Sequence, residues 1–335
     1  MNISKEKGTE ALLQVEHLTA GFYVDKKLVN IIHDVNFMVR KGKVLCIVGE
    51  SGCGKSVTSL SILRLLGKGS VISSQSNIMF EGKNLAQISM NQIADIRGKD
   101  ISMIFQDPMT SLNPVKVIGR QVSEAAQVHQ HLSQEDADQL ALDILDKVGI
   151  PDPEKRFHEY PHQLSGGMKQ RVMIAMALIC KPKLLIADEP TTALDVTTQA
   201  QILYLIRSLI EETGTSVILI THDMGVVASM ADDVAVMYAG RIVEYNTVFQ
   251  IFKHPQHPYT RLLLKSIPRL DEETDMLSTI PGNVPNPSRM PNGCKFWPRC
   301  PWAMDRCRKE EPEMDYRQGS MVRCFLKGGD LIDES

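Results

Sequence analysis

A glycine-rich octapeptide, Gly49 to Ser56, carries the clearest chemical signal in the sequence. It follows an apolar run over 43–48 that predicts a buried strand, and it precedes a predicted helix over 56–67. Glycines let backbone N–H groups turn towards an anion without a Cβ clash, and the helix presents its positive end. Lys55 can reach terminal phosphates, and the Ser56 hydroxyl can bind Mg²⁺. The predicted nucleotide-binding residues are Gly49, Ser51, Gly52, Cys53, Gly54, Lys55, Ser56 and Val57.

Two adjacent carboxylates end a second apolar run. Residues 183–187 read Lys-Leu-Leu-Ile-Ala and are followed by Asp188 and Glu189. A buried strand that delivers Asp188 to a bound Mg²⁺ fits a Walker-B element, and Glu189 can orient or deprotonate an attacking water. Two solvated acids at a strand end are the alternative for this pair taken alone. The phosphate-binding pattern elsewhere in the chain favours the catalytic interpretation.

A second phosphate-binding signal is the segment 164–171, which reads LSGGMKQR and whose Ser165 lies 23 positions before Asp188. Ser165 opens a predicted helix, and Gly166 and Gly167 leave its first N–H groups open to an anion. This octapeptide resembles the signature motif of ABC ATPases. The resemblance implies an α/β fold, the P-loop NTPase ABC cassette, with a parallel RecA-like core, an antiparallel β subdomain and a helical subdomain.

Three further positions match motifs of the ABC family. Gln106 resembles the glutamine that touches Mg²⁺ or water and senses the membrane subunits. Asp195, in Ala193-Leu194-Asp195, resembles the D-loop at the dimer interface. His222 resembles the switch histidine that contacts the γ-phosphate. The resemblance thus implies catalytic roles for Glu189, His222, Lys55 and Gln106, and Mg²⁺ ligation by Ser56, Gln106 and Asp188.

An aromatic side chain near the start of the chain resembles the residue that stacks on adenine in this family. Phe22 is the expected residue, and Tyr23 is the neighbouring alternative. By pattern alone, an apolar core residue at this position fits equally well. The adenine contact is therefore an expectation that depends on the resemblance.

The resemblance also implies partners. Two cassettes sandwich two ATP molecules head to tail, so that the Ser165 turn of one chain closes over the γ-phosphate held by the other chain. The expected partners are a second ABC ATPase subunit, in a heterodimer, two membrane permease subunits and, indirectly, an extracytoplasmic substrate-binding protein. The expected location is peripheral, on the cytoplasmic face of the inner membrane.

Two other segments resemble the subfamily that drives dipeptide, oligopeptide and nickel importers. These are Asp107 to Pro114 and His257 to Leu263, and the similarity runs from Leu12 to Cys324. The nickel branch generally lacks a long cysteine tail, which favours import of di- or oligopeptides. The alternatives are an importer of nickel or another small solute, and a soluble ABC ATPase that does not transport.

Four of the seven cysteines lie near the C-terminal end of the sequence, at Cys294, Cys300, Cys307 and Cys324. Four thiolates can hold Zn²⁺ or an iron–sulfur cluster. The spacing has neither paired C-x-x-C units nor a ferredoxin pattern. It resembles the C-terminal region of peptide-transport ATPases, some of which carry a 4Fe-4S cluster. A 4Fe-4S cluster is therefore expected, with Zn²⁺ and free thiols as the alternatives.

Hydrophobic periodicity supplies the elements that would position these residues. Alternation in 12–15 and 35–39 predicts antiparallel strands, and 115–149 has the period of helices. The nine prolines of 254–301 predict an extended, loop-rich tail. The predicted organisation is an ATPase domain over 12–253, a helical subdomain at about 107–180, and a C-terminal extension over 254–335, expected to bind metal.

Composition limits the function further. The chain has 335 residues with 23% charged side chains and a formal net charge of −3, so no basic excess indicates a nucleic-acid partner. The first ten residues have no apolar stretch of the secretory type. No apolar run approaches the roughly 18 residues of a spanning helix. We therefore expect other chains to cross the membrane.

Overall fold

The computed structural model describes residues 10–191, 195–267, 280–317 and 320–326. The chain folds into two compact units. The first unit draws on 1–39, 44–86 and 221–335, and the second on 40–43 and 87–220. The C-terminal tail is thus part of the first unit, together with the glycine-rich octapeptide.

The strands, in chain order, are β1 (Ala11–Val24), β2 (Lys27–Arg40), β3 (Val44–Val48), β4 (Ser70–Ile72), β5 (Asn77–Phe80), β6 (Lys83–Asn84), β7 (Ile101–Ile104), β8 (Leu184–Asp188), β9 (Ser216–Thr221), β10 (Asp233–Tyr238), β11 (Arg241–Thr247), β12 (Asp315–Arg317) and β13 (Ser320–Val322). The helices are α1 (Lys55–Ile62), α2 (Met90–Ile96), α3 (Pro108–Ser111), α4 (Ile118–Gln130), α5 (Gln134–Lys147), α6 (Pro153–Phe157), α7 (Gly166–Leu178), α8 (Val196–Thr213), α9 (Met224–Met230), α10 (Val248–Lys253), α11 (Pro258–Lys265) and α12 (Asp305–Lys309).

An antiparallel sheet in the first unit has the strand order β2-β1-β5-β6, with β4 also paired to β1. Asp25 and Lys26 join β1 to β2 with φ of 48° and 64°. Positive φ at both residues matches a type I′ turn, whose twist suits a two-residue hairpin. In β1, Leu13 and Val15 are buried, which confirms that the alternating segments form the antiparallel strands.

The other sheet of the first unit has the order β12-β13-β11-β10-β3. All five residues of β3 are buried, and β3 runs parallel to β10 with Leu45 opposite Asp233. The tail contributes β12 and β13, and Val322 pairs with Glu244 of β11. The sequence did not predict these two short strands, because three residues are too few to show a period.

The second unit contains a parallel sheet flanked by helices. Strand β8 lies between β7 and β9, with Leu184 opposite Ile101 on one side and Ser216 on the other. Every residue of β8 and β9 is buried, as expected for parallel strands covered on both faces. Helices α4 and α5 confirm the predicted helical insertion, and both pack against α7.

Two predictions about elements differ from the structure. Helix α1 ends at Ile62 and not near residue 67, because Leu63 and Arg64 form a turn and Arg64 has φ +52°. The tail is less irregular than its prolines indicate. Pro258 begins α11 at the first helical position, where its missing N–H would have no intrahelical partner.

A helix that crosses a bilayer must be long and predominantly apolar. Within the part of the chain that the structure describes, no helix meets both conditions.

Candidate active site

The octapeptide Gly49–Ser56 forms a tight loop between β3 and α1, here called the phosphate loop. Gly49, Gly52 and Gly54 have φ of 153°, 77° and 108°, a region that residues with a Cβ rarely adopt. A Cβ on Gly49 would lie 2.1 Å from the carbonyl oxygen of Met237. A Cβ on Gly54 would lie 2.7 Å from Cγ2 of Ile32. The backbone therefore requires glycine at these positions.

Lys55 is the first residue of α1, and Gly54 is its N-cap. The Lys55 residue is only 5% exposed. Its ammonium donates to the carbonyl oxygens of Gly49 at 2.8 Å and Glu50 at 3.2 Å. The loop therefore curls around its own lysine, which places a positive charge in the cradle where phosphates would bind.

The remaining predicted residues of the phosphate loop differ in exposure. Ser51 and Gly52 are exposed, whereas Ser56 and Val57 are half-buried. Cys53 is buried, and burial raises the pKa of its thiol to about 11. At neutral pH the Cys53 thiol is therefore protonated. It contributes to packing and is a poor nucleophile.

Residues of the tail hold the phosphate loop from one side, which the sequence did not reveal. The Glu50 N–H donates to the Tyr259 hydroxyl at 2.9 Å. The Glu50 carboxylate pairs with both terminal nitrogens of Arg299. No local pattern could have found these contacts, because Arg299 lies 249 positions from Glu50 in the sequence.

The other site residues predicted in the first unit lie at element ends. His222 is exposed directly after β9 and precedes Asp223, which caps α9 through its Oδ1. Phe22 is half-buried in β1, while Tyr23 is 59% exposed. Of the two aromatic candidates for adenine stacking, Tyr23 therefore presents more ring surface.

In the second unit, the structure brings the predicted glutamine and the predicted catalytic glutamate together. The Gln106 side-chain amide donates to Oε2 of Glu189 at 3.2 Å. Glu189 has φ +46°, and its N–H donates to the carbonyl oxygen of Ile220 at 3.0 Å. Asp188, the last residue of β8, is 4% exposed. A glutamate held in a sparsely populated backbone conformation by flanking contacts is typical of functional sites.

The Ser-Gly-Gly turn forms the N-terminus of α7. Ser165 is the N-cap, and its hydroxyl accepts from the N–H of Met168 at 3.3 Å. Gly166 is exposed, and a Cβ built on it would meet no atom within 4 Å. A Cβ on Gly167 would lie 3.2 Å from Cγ2 of Thr198. The space beside Gly166 is therefore open, whereas Gly167 faces Thr198.

Asp195 acts within the chain as the N-cap of α8. Its carboxylate accepts from the Thr198 N–H at 3.0 Å and from the Thr198 hydroxyl at 2.7 Å. The bond from the Thr198 N–H is the main reason that the pKa of Asp195 is lowered. The preceding Ala193 and Leu194, which complete the predicted D-loop, lie outside the described residues.

The four tail cysteines fold back on one another. The Cys294 N–H donates to the carbonyl oxygen of Cys307 at 2.9 Å, next to Gly293, whose φ is +66°. Burial raises the pKa of Cys294, and it raises that of Cys300 to about 11 and that of Cys324 to about 12. The Cys324 thiol is also close enough to the other three for their charges to raise its pKa further.

Comparison with known proteins settles the family. The ABC transporter model matches residues 32–192, and the model of the oligopeptide/dipeptide transporter C-terminal region matches residues 243–307. The oligopeptide transport ATP-binding protein AppD of Bacillus subtilis is 50% identical over 94% of this chain and 96% of its own length. The chain belongs to the ABC transporter family, as an ATP-binding protein of the oligopeptide and dipeptide transport type. OppD of Escherichia coli, also an oligopeptide transport ATP-binding protein, is 47% identical over 98% of this chain and 96% of its own length.

Solved structures confirm the cassette fold of this ABC protein. The ATP-binding cassette MJ0796, solved as a dimer in a post-hydrolysis state bound to ADP and Pi, superimposes with a TM-score of 0.63. The two proteins are 25% identical, and the match covers 70% of this chain and 98% of that cassette. The predicted ABC cassette, with mixed α and β elements, is therefore correct.

ATP and Mg²⁺ are typical of ABC ATPases, and the side chains of this ABC protein suit both. Ser56 in the first unit carries a hydroxyl oxygen, and Gln106 and Asp188 in the second unit carry amide and carboxylate oxygens, the kind of ligand that Mg²⁺ prefers. The glycine backbone of the phosphate loop and the buried Lys55 ammonium suit an anionic phosphate chain. The chemistry that Mg²⁺ would supply is positive charge that offsets the charge of the phosphates.

The structure does not support the predicted metal in the tail of this ABC protein. Among the described residues, which include all four tail cysteines, no group of three or more His, Cys, Asp or Glu side chains is placed to hold a metal ion. All seven cysteines are free thiols. The predicted 4Fe-4S cluster, and the alternative Zn²⁺ site, therefore have no support in this structure. Proximity of four thiols is not sufficient, because a metal needs them deprotonated and convergent.

Proposed function

We propose that this chain is the ATP-hydrolysing subunit of an ABC importer for di- or oligopeptides. One observation carries the proposal, the near-full-length similarity to oligopeptide transport ATP-binding proteins, with 50% identity to AppD over 94% of the chain. The similarity includes the oligopeptide/dipeptide C-terminal region at 243–307, beyond the cassette match at 32–192. Import of nickel or another small solute, and a soluble ABC ATPase that does not transport, are the alternatives to this proposal.

The proposed domain organisation follows the motifs. Residues 12–253 form the ATPase domain, with its helical subdomain at about 107–180, and residues 254–335 form the extension. Under this proposal Lys55 binds the β- and γ-phosphates, Tyr23 or Phe22 stacks on adenine, and His222 contacts the γ-phosphate. These assignments are supported by family resemblance, by the position of Lys55 in the phosphate loop and by the exposure of Tyr23 and His222.

We assign the attacking water to Glu189, which would orient it and accept its proton. The Gln106 amide donates to Oε2 of Glu189 at 3.2 Å and so helps to orient the carboxylate that would accept the proton. If the segment that carries Gln106 moves with a permease, the hydrogen bond to Glu189 changes. That gives a physical link between the transport subunits and hydrolysis.

The working assembly proposed is a head-to-tail pair of cassettes on the cytoplasmic face of the inner membrane. The open N-terminus of α7 at Ser165–Gly167 would close over the γ-phosphate held by the partner, with Asp195 near the interface. The partner is proposed to be a second, different ABC ATPase. Two permeases and, indirectly, an extracytoplasmic substrate-binding protein complete the importer. The dimeric structure of MJ0796 supports such a pairing for the fold.

The substitution Glu189→Gln tests this proposal most directly. It keeps the size of the side chain and its bond to Gln106 but removes the base. We expect ATP binding to persist, ATP hydrolysis to fall by at least about 100-fold and the cassette pair to stay closed. The measurements are phosphate release, size-exclusion chromatography with ATP, and uptake of labelled peptides into vesicles that contain the complete importer.

Glu211→Gln is the matched control, because Glu211 is an exposed glutamate of α8 that pairs with Arg207 in a surface ion pair. It should hydrolyse ATP and import peptide like the wild type. Unchanged turnover in Glu189→Gln would remove this residue from its assigned role. If the wild-type complex takes up Ni²⁺ and not peptides, the proposal that di- or oligopeptides are the cargo is wrong.

A further inference from the structure

Glu50 lies within the phosphate loop, yet its side chain points to a partner in the tail. We propose that Arg299 is a positioning residue for nucleotide binding, which holds and neutralises the Glu50 carboxylate so that the loop can accept a triphosphate. The inference rests on the proposed function only in taking the phosphate loop as the ATP site.

The geometry of the pair is a two-pronged ion pair. Nη1 of Arg299 lies 2.6 Å from Oε2 of Glu50, and Nη2 lies 2.9 Å from Oε1. The Arg299 side chain is 5% exposed and that of Glu50 is 29% exposed. Parallel N–H···O bonds at these lengths are among the strongest polar contacts in proteins, and low exposure limits screening by salt.

Additional contacts fix the guanidinium of Arg299. Its Nε donates to the carbonyl oxygen of Pro281 at 2.7 Å, and Nη2 donates to that of Ile280 at 3.2 Å. The guanidinium carbon lies 5.8 Å from the centre of the Tyr238 ring. Arg299 therefore cannot follow Glu50 if the loop moves, and it holds Glu50 in one place.

Tyr259 fixes the backbone of the same loop residue. Its hydroxyl accepts from the Glu50 N–H, and its own N–H donates to Nδ1 of His257 at 3.0 Å. The His257 N–H in turn donates to Oε2 of Glu244 at 2.8 Å. The Tyr259 ring packs against those of Tyr238 and Phe296, with centroids 4.8 and 5.4 Å away. A chain of buried contacts thus connects β11 to the phosphate loop through the tail.

Glu50 needs a cationic partner because its charge lies next to the site proposed for ATP. A carboxylate beside a site for a triphosphate repels the ligand, and in a partly buried setting the repulsion is only weakly screened. The Arg299 charge cancels that of Glu50, and the two-pronged geometry keeps the carboxylate turned towards the tail. Lysine would supply the charge but not the fork, so it would hold the carboxylate less firmly.

The test measures binding of the ATP analogue AMP-PNP with Mg²⁺ to the full chain by calorimetry. Arg299→Ala leaves an unpaired carboxylate in the loop, and we expect the Kd to rise about tenfold. Adding Glu50→Gln to Arg299→Ala removes the stranded charge, and the Kd should return to within about threefold of the wild type. Arg299→Lys should lie between these values and serves if Arg299→Ala does not fold.

Arg323→Ala is the matched control. Arg323 is another tail arginine, 8% exposed, that pairs with Asp34 and not with the phosphate loop. It should lower the midpoint of thermal unfolding but leave the Kd unchanged. The proposal is overturned if Arg299→Ala weakens AMP-PNP binding no more than Arg323→Ala does; if Arg299→Ala does not fold, Arg299→Lys is compared instead. It is also overturned if the double variant binds AMP-PNP no better than Arg299→Ala alone.

The two proposals fail separately. If the wild type binds AMP-PNP but hydrolyses no ATP, the proposed function fails and the positioning role of Arg299 is still measured. If the wild type hydrolyses ATP and Arg299→Ala binds AMP-PNP normally, only the role of Arg299 fails.

Discussion

The phosphate loop and the cysteine tail are both short, turn-rich segments of the same unit, yet their chemistry has different origins. The loop acts through its backbone, since glycines with φ of 77° and 108° at Gly52 and Gly54 shape the cradle around Lys55. The tail has four thiols, and their chemistry depends on how side chains from Cys294 to Cys324 converge. Spacing along the sequence determines the first kind of site and does not determine the second.

This contrast indicates what each region contributes. The shape of the phosphate loop depends on Gly49 and Gly54, where a Cβ would lie 2.1 Å from the Met237 carbonyl oxygen and 2.7 Å from Cγ2 of Ile32. The tail, in the described structure, provides support, through Arg299, Tyr259 and the strand β13. Substitutions at Gly49 and Gly54 should therefore abolish ATP binding, whereas substitutions in the tail should lower stability or affinity only partly.

The largest expected effect comes from Gly49→Ala. The new Cβ would lie 2.1 Å from the carbonyl oxygen of Met237. This oxygen belongs to the backbone, so relieving the clash requires a backbone shift that costs free energy. We expect a loss of about 3 kcal/mol in the free energy of unfolding and no measurable binding of AMP-PNP. Urea denaturation and calorimetry provide the two measurements.

Gly67→Ala is the control for this substitution. A Cβ on Gly67 would meet nothing within 4 Å, and its φ is not in the left-handed region. Its stability and ATP binding should match the wild type. Normal binding by Gly49→Ala would show that the loop does not depend on its backbone, and the contrast with the tail would disappear.

A smaller effect on the free energy of unfolding is expected when the pH is lowered, because the tail contains a buried histidine. His257 is fully buried, and burial lowers its pKa to about 3, while the unfolded chain titrates near 6.5. Between these values the unfolded state binds the extra proton, so stability is complete above about pH 6.5 and falls as the pH decreases towards 3. At pH 5 the loss is about 2 kcal/mol relative to pH 7.5.

His257→Asn isolates this contribution. Asparagine is a good N-cap and can accept the Tyr259 N–H, but it does not titrate. Urea denaturation at pH 7.5 and 5 should show a loss in the variant that is smaller by about 2 kcal/mol than in the wild type. Glu244, whose pKa is raised by burial, is present in both proteins and cancels in the difference. Equal losses would show that His257 is accessible to protons in the folded chain.

The smallest functional effect is expected from the tail thiols. With pKa values of about 11 for Cys300 and about 12 for Cys324, less than about one thiol in a thousand is ionised at pH 7.5. Alkylation by iodoacetamide, followed by mass spectrometry, should be about 100-fold slower at Cys300 and about 1000-fold slower at Cys324 than at an ordinary thiol, and both rates should rise about tenfold per pH unit. ATP hydrolysis should not change during the reaction.

Metal analysis of the same protein sharpens the comparison between loop and tail. From the described arrangement we expect colourless protein with far less than one iron or zinc per chain. Stoichiometric iron, with visible absorbance and cysteines protected from alkylation, would contradict that expectation. It would restore the cluster that the cysteine spacing first indicated.

Much of the nucleotide site could be predicted from the sequence because its determinants are local. The strand β3, the glycines of the phosphate loop and Lys55 lie within a dozen consecutive residues, so pattern and spacing define their geometry. The hydrogen bond between Gln106 and Glu189 was not predicted, since 83 positions separate the two residues. Neither pattern nor spacing indicated that Glu189 has a positive φ.

The tail was less predictable because its contacts join residues distant in sequence. Nine prolines indicated loops, but α11 begins at Pro258, and β13 pairs with β11. The partner of Glu50 is Arg299, a residue that resembles any surface arginine when seen in the sequence alone. A charge pair across 249 positions becomes visible only when the chain is folded.

The ion pair between Arg323 and Asp34 joins residues 289 positions apart, at an Nη2–Oδ2 distance of 2.9 Å. During synthesis, the hairpin that carries Asp34 leaves the ribosome long before Arg323 is made. The edge of β11 that pairs with β13 likewise stays unpaired until β13 has been synthesised. Nascent chains of this protein should therefore depend on chaperones until about residue 323 has emerged, and pauses in translation before that point should favour aggregation.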